Sequence, residues 1–132
     1  GNYYAAVMAV EAVDLALARL LPAIDALGGV ALVTADHGNA EEMFELDRKS
    51  GAPSRDAAGH IRAKTSHTLN PVPLVLYDNQ SGGRFRLAGG AGEGSAGAEP
   101  AGGLANVAAT VVELLGFEPP GMWWPSLLRW RE

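Results

Sequence analysis

Apolar side chains occupy most positions from Tyr3 to Leu21, and the only charged residues in this stretch are Glu11, Asp14 and Arg19. A stretch of this length with so narrow a polar stripe is typical of an α-helix whose apolar surface is covered by other parts of the protein. The pattern therefore predicts a first helix that packs on a sheet.

Two short apolar runs predict buried β-strands. The first covers residues 29–35 and the second covers residues 72–77, with prolines only at the entry of the second run, where a strand tolerates them. Residues 84–87 alternate between arginine and apolar side chains, which predicts a short edge strand. These runs provide two or three strands for the first helix to cover.

A second helix is predicted from Leu104 to Leu115, where apolar residues recur at helical spacing and Gly116 follows as a natural C-cap. Asn39, with Glu42 three residues later, predicts the capping box of a further short helix. Three tryptophans near the end of the chain are expected to close the core; they are Trp123, Trp124 and Trp130.

Two segments lack any periodic pattern and are predicted to be loops. Residues 47–64 are polar and contain glycine and proline, and residues 88–103 are rich in glycine and alanine. Helix, strand, loop, strand and helix follow one another in that order, which predicts an α/β fold. The chain starts with a helix that no strand precedes, which suggests a piece of a larger protein.

Composition limits the chemistry. The chain has 132 residues, a net charge of −5 and no cysteine. An acidic chain of this kind is not expected to bind nucleic acid, and without thiolates any metal must use oxygen and nitrogen ligands, as Mn, Mg and Zn do. We find no leader pattern and no long apolar span, so we expect a cytoplasmic protein that does not enter a membrane.

Asp36 and His37 stand side by side where the first predicted strand ends. Neighbouring side chains on an extended strand point to opposite faces, so both reach one metal ion only where the backbone turns, and Gly38 permits that turn. The alternative is a capping aspartate beside a surface histidine, and the tripeptide alone leaves both interpretations open.

His67 lies 30 residues after His37 and just before the second predicted strand, so both histidines could share one sheet edge. A lone histidine is more often structural than a ligand, and His60, in the polar loop, is expected to be solvated. Five of the ten basic residues lie between the two histidine sites; they are Arg48, Lys49, Arg55, Arg62 and Lys64. A solvated loop explains most of them, while Lys64, and with less support Arg62, remain candidates for binding a phosphorylated ligand. Glu41 and Glu42 are expected to be capping or surface groups.

Four ordered blocks together resemble the cofactor-independent (2,3-bisphosphoglycerate-independent) phosphoglycerate mutases of the alkaline phosphatase superfamily. The blocks are 5–14, Thr34 to Glu42 (Thr-Ala-Asp-His-Gly-Asn-Ala-Glu-Glu), Thr65 to Pro73, and 104–116. The resemblance covers nearly the whole chain and implies part of an alkaline-phosphatase-like sheet with packed helices.

The resemblance also implies a function and a site. Enzymes of this family interconvert 3-phosphoglycerate and 2-phosphoglycerate through a phosphoserine intermediate, using two divalent metals that are usually Mn²⁺, with Mg²⁺ or another divalent metal as the alternative. By resemblance, Asp36 and His37 would bind one metal and His67 would bind the other. Lys64, from the cluster of basic residues, is the candidate for contacting the substrate. Glycolysis and gluconeogenesis would be the setting, and the partner would be the remainder of the same enzyme.

Several parts of the family pattern have no match in residues 1–132. The serine nucleophile block, the Asp-x-Val-Gly-His-Thr-Gly motif and the arginine-bearing substrate domain are absent. We therefore expect the C-terminal part of the phosphatase-like domain, inactive on its own and with no catalytic residue of its own. The alternatives are another phosphoryl-transfer member of the superfamily, such as a phosphopentomutase, and a stand-alone metal-binding or interaction domain. The latter would fold without exposed apolar surface.

Overall fold

The protein is described from a computed structural model, which covers residues 2–89 and 102–131. Its elements, in chain order, are α1 (Tyr3–Ala26), β1 (Ala31–Thr34), β2 (Leu74–Tyr77), β3 (Phe85–Leu87), a single 3-10 turn (Leu104–Asn106), α2 (Val107–Leu114) and β4 (Leu128–Trp130). The chain forms two compact units. The first unit comprises 1–23 and 35–72, and the second comprises 24–34 and 73–132.

Helix α1 begins where the sequence predicts and runs to Ala26, five residues beyond Leu21, with Pro22 in its last part. None of its residues, all of which the structure describes, is buried, and large apolar side chains such as Tyr4 (78% exposed) and Leu15 (67% exposed) face solvent. The expected packing of this helix on a sheet stays a prediction. An apolar surface this large is typical of a helix that needs a covering partner.

Strands β1 and β2 form an antiparallel pair in which Thr34 lies opposite Leu74 and Ala31 lies opposite Tyr77. Both strands were predicted, but as buried strands, and the structure leaves all of their residues half-buried or exposed. Because Thr34 and Leu74 are partners, the chain leaves this pair and returns to it at the same end. The hydroxyl of Tyr77 donates to Asp25 Oδ2 at 2.6 Å, which ties β2 to the last turn of α1.

The segment between the two strands is an irregular antiparallel hairpin in the first unit. Isolated bridges pair Gly38 with Thr68, Phe44 with Ala63, Leu46 with Pro53 and Arg55 with Ile61. Residues 47–64 contain no helix or strand, in line with the predicted loop. Residues 39–42 form a turn and not the predicted capped helix.

The buried apolar residues of the described chain, Ala109, Leu127 and Leu128, belong to α2 and to the segment that enters β4. The predicted second helix is confirmed as the 3-10 turn followed by α2, and Gly116, at φ +84°, lies one residue beyond its C-cap. Strand β3 is the predicted short strand, and it pairs in antiparallel fashion with β4. Of the predicted loop 88–103, residues 90–101 lie outside the described part of the chain.

The three tryptophans do not close this core, contrary to expectation. Trp123, Trp124 and Trp130 are 44%, 66% and 58% exposed. Trp130 contacts Phe85 edge to face, with ring centroids 5.5 Å apart, and its indole N–H donates to Glu113 at 3.0 Å. The small residues Ala109 and Thr110 take the interior positions instead. Among the helices of the described ranges, none has the length and hydropathy that crossing a membrane requires.

Candidate metal centre

The backbone brings the two predicted metal-binding segments together through a close contact at Gly38. The amide of Thr68 donates to the carbonyl of Gly38 at 2.9 Å. A Cβ atom built on Gly38 would overlap the side-chain oxygens of Thr68 and Glu41, so only glycine fits between them. Gly38 was predicted to supply conformational freedom, but its φ is not positive, and the reason for a glycine here is steric: the two segments meet where there is no side chain.

The register of this contact explains why His37 and His67 meet. When Gly38 faces Thr68 in an antiparallel pair, residue 37 faces residue 69, and residue 67 becomes its diagonal neighbour on the same face. The two imidazole rings stack with centroids 3.5 Å apart and an interplanar angle of 12°. The hypothesis that both histidines share one edge agrees with this placement.

Asp36 lies beside this histidine pair with its carboxylate open to solvent. Its Oδ1 is 3.6 Å from Nε2 of His37, and the side chains are 87% and 34% exposed, respectively. Nδ1 of His37 lies 3.1 Å from the carbonyl of Gly38. An Nδ1–H donated to that carbonyl leaves the Nε2 lone pair available to a metal, which is a common arrangement for metal-binding histidines.

The donor atoms fit a divalent metal, but the described residues do not complete a site. A first-row ion sits about 2.0–2.2 Å from carboxylate oxygen or imidazole nitrogen, so one ion could bridge Asp36 and His37 at their observed separation. Within residues 2–89 and 102–131, however, no group of three or more histidine, cysteine or acidic side chains converges in a metal-holding arrangement. Any ion held here would need further ligands.

Five polar side chains, which we call the polar clamp, hold the two histidine segments together: Glu41, Glu42, Lys64, Thr68 and Asn70. Glu41 accepts from the hydroxyl of Thr68 and, at 2.6 Å, from the backbone N–H of Asn39. The amide of Asn70 donates to Glu41 at 3.2 Å and to Glu42 at 2.8 Å. The ammonium of Lys64 contacts Glu42. Contacts to the carboxylates of Glu41 and Glu42 thus join segment 39–42 to segment 64–70.

These contacts stabilise both carboxylates in their charged form. The hydroxyl of Thr68, followed by nearby amide groups, lowers the pKa of Glu41 to about 2. The ammonium of Lys64, followed by Asn70, lowers the pKa of Glu42. Both groups are therefore anionic hydrogen-bond acceptors at neutral pH.

The other predicted residues have local partners. Lys64 is paired with Glu42, so its predicted contact with substrate stays a prediction. Arg62 Nε lies 3.0 Å from Glu45, and His60 lies 3.5 Å from Asp56 with its side chain 81% exposed, in line with a solvated loop histidine. The clamp itself was missed by sequence reasoning, because its partners are 22 to 29 positions apart. The only signal was that polar residues were concentrated in two of the family-like blocks.

The chain belongs to the metalloenzyme superfamily, whose family model matches residues 1–119. Among curated relatives, a probable 2,3-bisphosphoglycerate-independent phosphoglycerate mutase of Leptospira interrogans is 45% identical over 129 residues, which is 98% of this chain and 22% of that protein. The corresponding Trypanosoma brucei enzyme is 43% identical over 97% of this chain and 22% of its own length.

A solved structure shows the same fold. Leishmania mexicana phosphoglycerate mutase, determined at low cobalt concentration, superposes with a TM-score of 0.78 and 41% identity, covering 95% of this chain and 21% of that one. The resemblance inferred from the sequence is confirmed, as is the fold class: part of an alkaline-phosphatase-like α/β fold. The chain spans about a fifth of the length of the relatives it matches.

Proposed function

We propose that this chain provides one side of the two-metal site of a cofactor-independent phosphoglycerate mutase, which converts 3-phosphoglycerate to 2-phosphoglycerate and back. The observation that carries the proposal is the stack of His37 on His67 with Asp36 beside it. In this proposal Asp36 and His37 hold one divalent ion and His67 holds the other. Mn²⁺ is the proposed metal, since carboxylate and imidazole suit it.

The spacing of the histidines supports two ions rather than one. Paired metal ions in phosphoryl-transfer sites lie about 3.5–4 Å apart, and the stacked rings are 3.5 Å apart. In this proposal each ring supplies a nitrogen to its own ion. When bound, such ions stabilise negative charge on a transferring phosphoryl group and activate the attacking oxygen.

The chain's own residues would position the metal ligands. The Gly38 carbonyl orients the ring of His37, and the polar clamp fixes the two segments that carry the histidines. Lys64 is proposed to contact the phosphate of the substrate, exchanging its bond to Glu42 for one to the ligand. A cytoplasmic location and a role in glycolysis and gluconeogenesis belong to the same proposal.

The isolated chain is proposed to be inactive. It spans about a fifth of its relatives, and in the ranges 2–89 and 102–131 no group of three candidate ligands forms. The matching relatives are phosphoglycerate mutases, which favours this function over the phosphopentomutase alternative. The exposed apolar surface of α1 favours it over a stand-alone domain.

Metal binding is the first test. Calorimetry with Mn²⁺ should detect weak binding to the chain, and the double change Asp36→Ala with His37→Ala should abolish it. The chain offers a matched control, since Asp56 and His60 form a second Asp–His pair at nearly the same distance, 3.5 Å, in a loop without a stacked histidine. Equal loss of binding in Asp56→Ala with His60→Ala would contradict the assignment.

Activity is tested by transplanting the chain into a relative. The matching 129-residue segment of the Leptospira interrogans protein is replaced by this chain, and mutase activity is measured with 3-phosphoglycerate. We expect the chimera to be active, His67→Ala to remove the activity and His60→Ala to leave it unchanged. Mutase activity of the isolated chain, or a chimera that keeps its activity after His67→Ala, would overturn the proposal.

A further inference from the structure

Four arginines are concentrated on the short ribbon formed by β3 and β4. Arg86 lies directly opposite Arg129 in the register, and two positions further along, the amide of Arg131 donates to the carbonyl of Arg84 at 2.8 Å. The ribbon therefore carries two cross-strand pairs of arginines, with the Phe85–Trp130 pair between them. This is unusual in a chain whose net charge is −5, because like charges directly opposite each other destabilise a strand pair.

The alternation of side chains places these arginines on one face of the ribbon. Phe85 and Trp130 are cross-strand partners whose rings are in contact, and Leu128 is buried, so the apolar side chains occupy the face toward α2. Residues two apart on a strand share a face. Arg84, Arg86, Arg129 and Arg131, all exposed, hence form the opposite face, which we call the arginine face.

Backbone contacts fix two of the guanidinium groups, and a third lies beside them. Nε of Arg84 donates to the carbonyl of Ser81 at 3.2 Å, and Nη1 of Arg129 donates to the carbonyl of Leu128 at 2.7 Å. Nη1 of Arg131 lies over Gly83, in the turn that precedes β3. Each guanidinium has five N–H donors, so most of the donors of Arg84 and Arg129 stay available to a ligand.

We propose that the arginine face binds a small anion that carries at least two phosphate groups. Guanidinium groups remain charged at every physiological pH and bind phosphate oxygens in pairs. The two arginine pairs are two residues apart along the strands, about 6.8 Å by strand geometry, which suits linked phosphates better than one. Asp78, the acidic residue of the preceding turn, accepts hydrogen bonds from the amides of Gln80 and Ser81.

Binding of inorganic tripolyphosphate to the chain, measured by calorimetry, tests this proposal. We expect tripolyphosphate to bind at least 10-fold more tightly than orthophosphate, and Arg86→Ser with Arg129→Ser to weaken it at least 10-fold. The matched control is Arg48→Ser with Lys49→Ser, which removes the same charge from an exposed loop of the first unit. Equal weakening by the control, or equal binding of both anions, would overturn the proposal.

Thermal unfolding provides a second readout that does not depend on measurable calorimetric heat. Without ligand, the parent chain and the variant Arg86→Ser with Arg129→Ser each provide a reference melting temperature. Tripolyphosphate should raise the melting temperature of the parent chain and not that of this variant. A similar rise in both would identify the arginine face as a solvated surface only. The metal ligands are not involved, so failure of this proposal leaves the proposed function untouched.

Discussion

The C-terminal segment 102–131 and the site-bearing hairpin 35–72 are stabilised by different means. In the C-terminal segment, Ala109 and Thr110 are completely buried and Leu128 is 3% exposed. In the hairpin, the described side chains that hold the strands together are mainly those of the polar clamp, and Thr68 is its buried member, at 8% exposure. One region has an apolar core, and the other is joined by hydrogen bonds between charged and polar groups.

This difference shows which part of the chain is self-sufficient. Apolar burial in the C-terminal segment does not depend on a ligand, whereas the hairpin presents exposed Asp36 and His67, and within residues 2–89 and 102–131 no group of three candidate ligands forms. Polar contacts of this kind fix the positions of atoms at little gain in stability. The hairpin is thus organised to position side chains, and the C-terminal segment is organised to stay folded.

The largest expected change in the free energy of unfolding is at Thr110. Its hydroxyl donates to the carbonyl of Asn106 at 2.8 Å and accepts from the amide of Leu127 at 3.0 Å. Thr110→Val leaves that buried amide without its acceptor, so the free energy of unfolding should fall by about 1–3 kcal/mol. Denaturant unfolding followed by tryptophan fluorescence measures this.

The control for Thr110 is the same chemical change at the exposed residue Thr65. Thr65→Val should alter the free energy of unfolding by less than about 0.5 kcal/mol, as surface substitutions usually do. If both variants unfolded at the same denaturant concentration, the buried hydroxyl of Thr110 would not be stabilising the C-terminal core.

The methyl group added by Gly38→Ala should disturb the hairpin more than a methyl group added at any other position in it. The added carbon would overlap Thr68 and Glu41 and push the two histidine segments apart. We expect NMR contacts between the rings of His37 and His67 to disappear. Gly121→Ala is the control, since a Cβ there meets no atom within 4 Å and the backbone needs no positive φ. Persistent ring contacts in Gly38→Ala would show that the close approach is not required.

Glu41→Gln should have a smaller effect, visible in metal affinity rather than in stability. Gln keeps the size of the side chain but weakens its bonds from Asn39 and Thr68, because the acceptor loses its charge. Changes to groups that orient metal ligands typically reduce affinity about 10-fold or more, and we expect the lower end of that range for Mn²⁺. Glu45→Gln, which affects only the contact with Arg62, is the control. A larger loss in Glu45→Gln would contradict the positioning role of the clamp.

The smallest expected change in stability comes from the ionisation of Tyr77 at high pH. The bond to Asp25, followed by desolvation, raises the pKa of Tyr77. The folded state therefore holds this proton more tightly than the unfolded state, so the contact stabilises the chain fully below the ordinary tyrosine pKa of about 10. This contribution is lost as pH rises through the higher folded-state value. Thermal unfolding across this range should show a decline in stability that is weaker in Tyr77→Phe; an identical decline would exclude this tyrosine as the cause.

Much of the secondary structure follows from the sequence, and the exceptions have physical reasons. The 3-10 turn together with helix α2, Gly116 and strand β3 were predicted within one residue, since apolar spacing and a C-cap glycine act locally. The helix at residues 39–42 was wrong because Glu41, and not Glu42, binds the amide of Asn39, and Glu42 is drawn to Lys64 instead. The prediction that the tryptophans close the core failed because the burial of a side chain depends on which elements pack against it. The size of the ring does not reveal that packing.

The sequence by itself determined the family, the fold class and the candidate ligands Asp36, His37 and His67, because these depend on residue types in ordered blocks. Only the tertiary structure decided that His37 and His67 stack and that Lys64 is held by Glu42. It also decided that four arginines share one face of the β3–β4 ribbon. Local pattern acts over a few positions along the chain, whereas these contacts depend on strand register, which is set by the packing of distant segments.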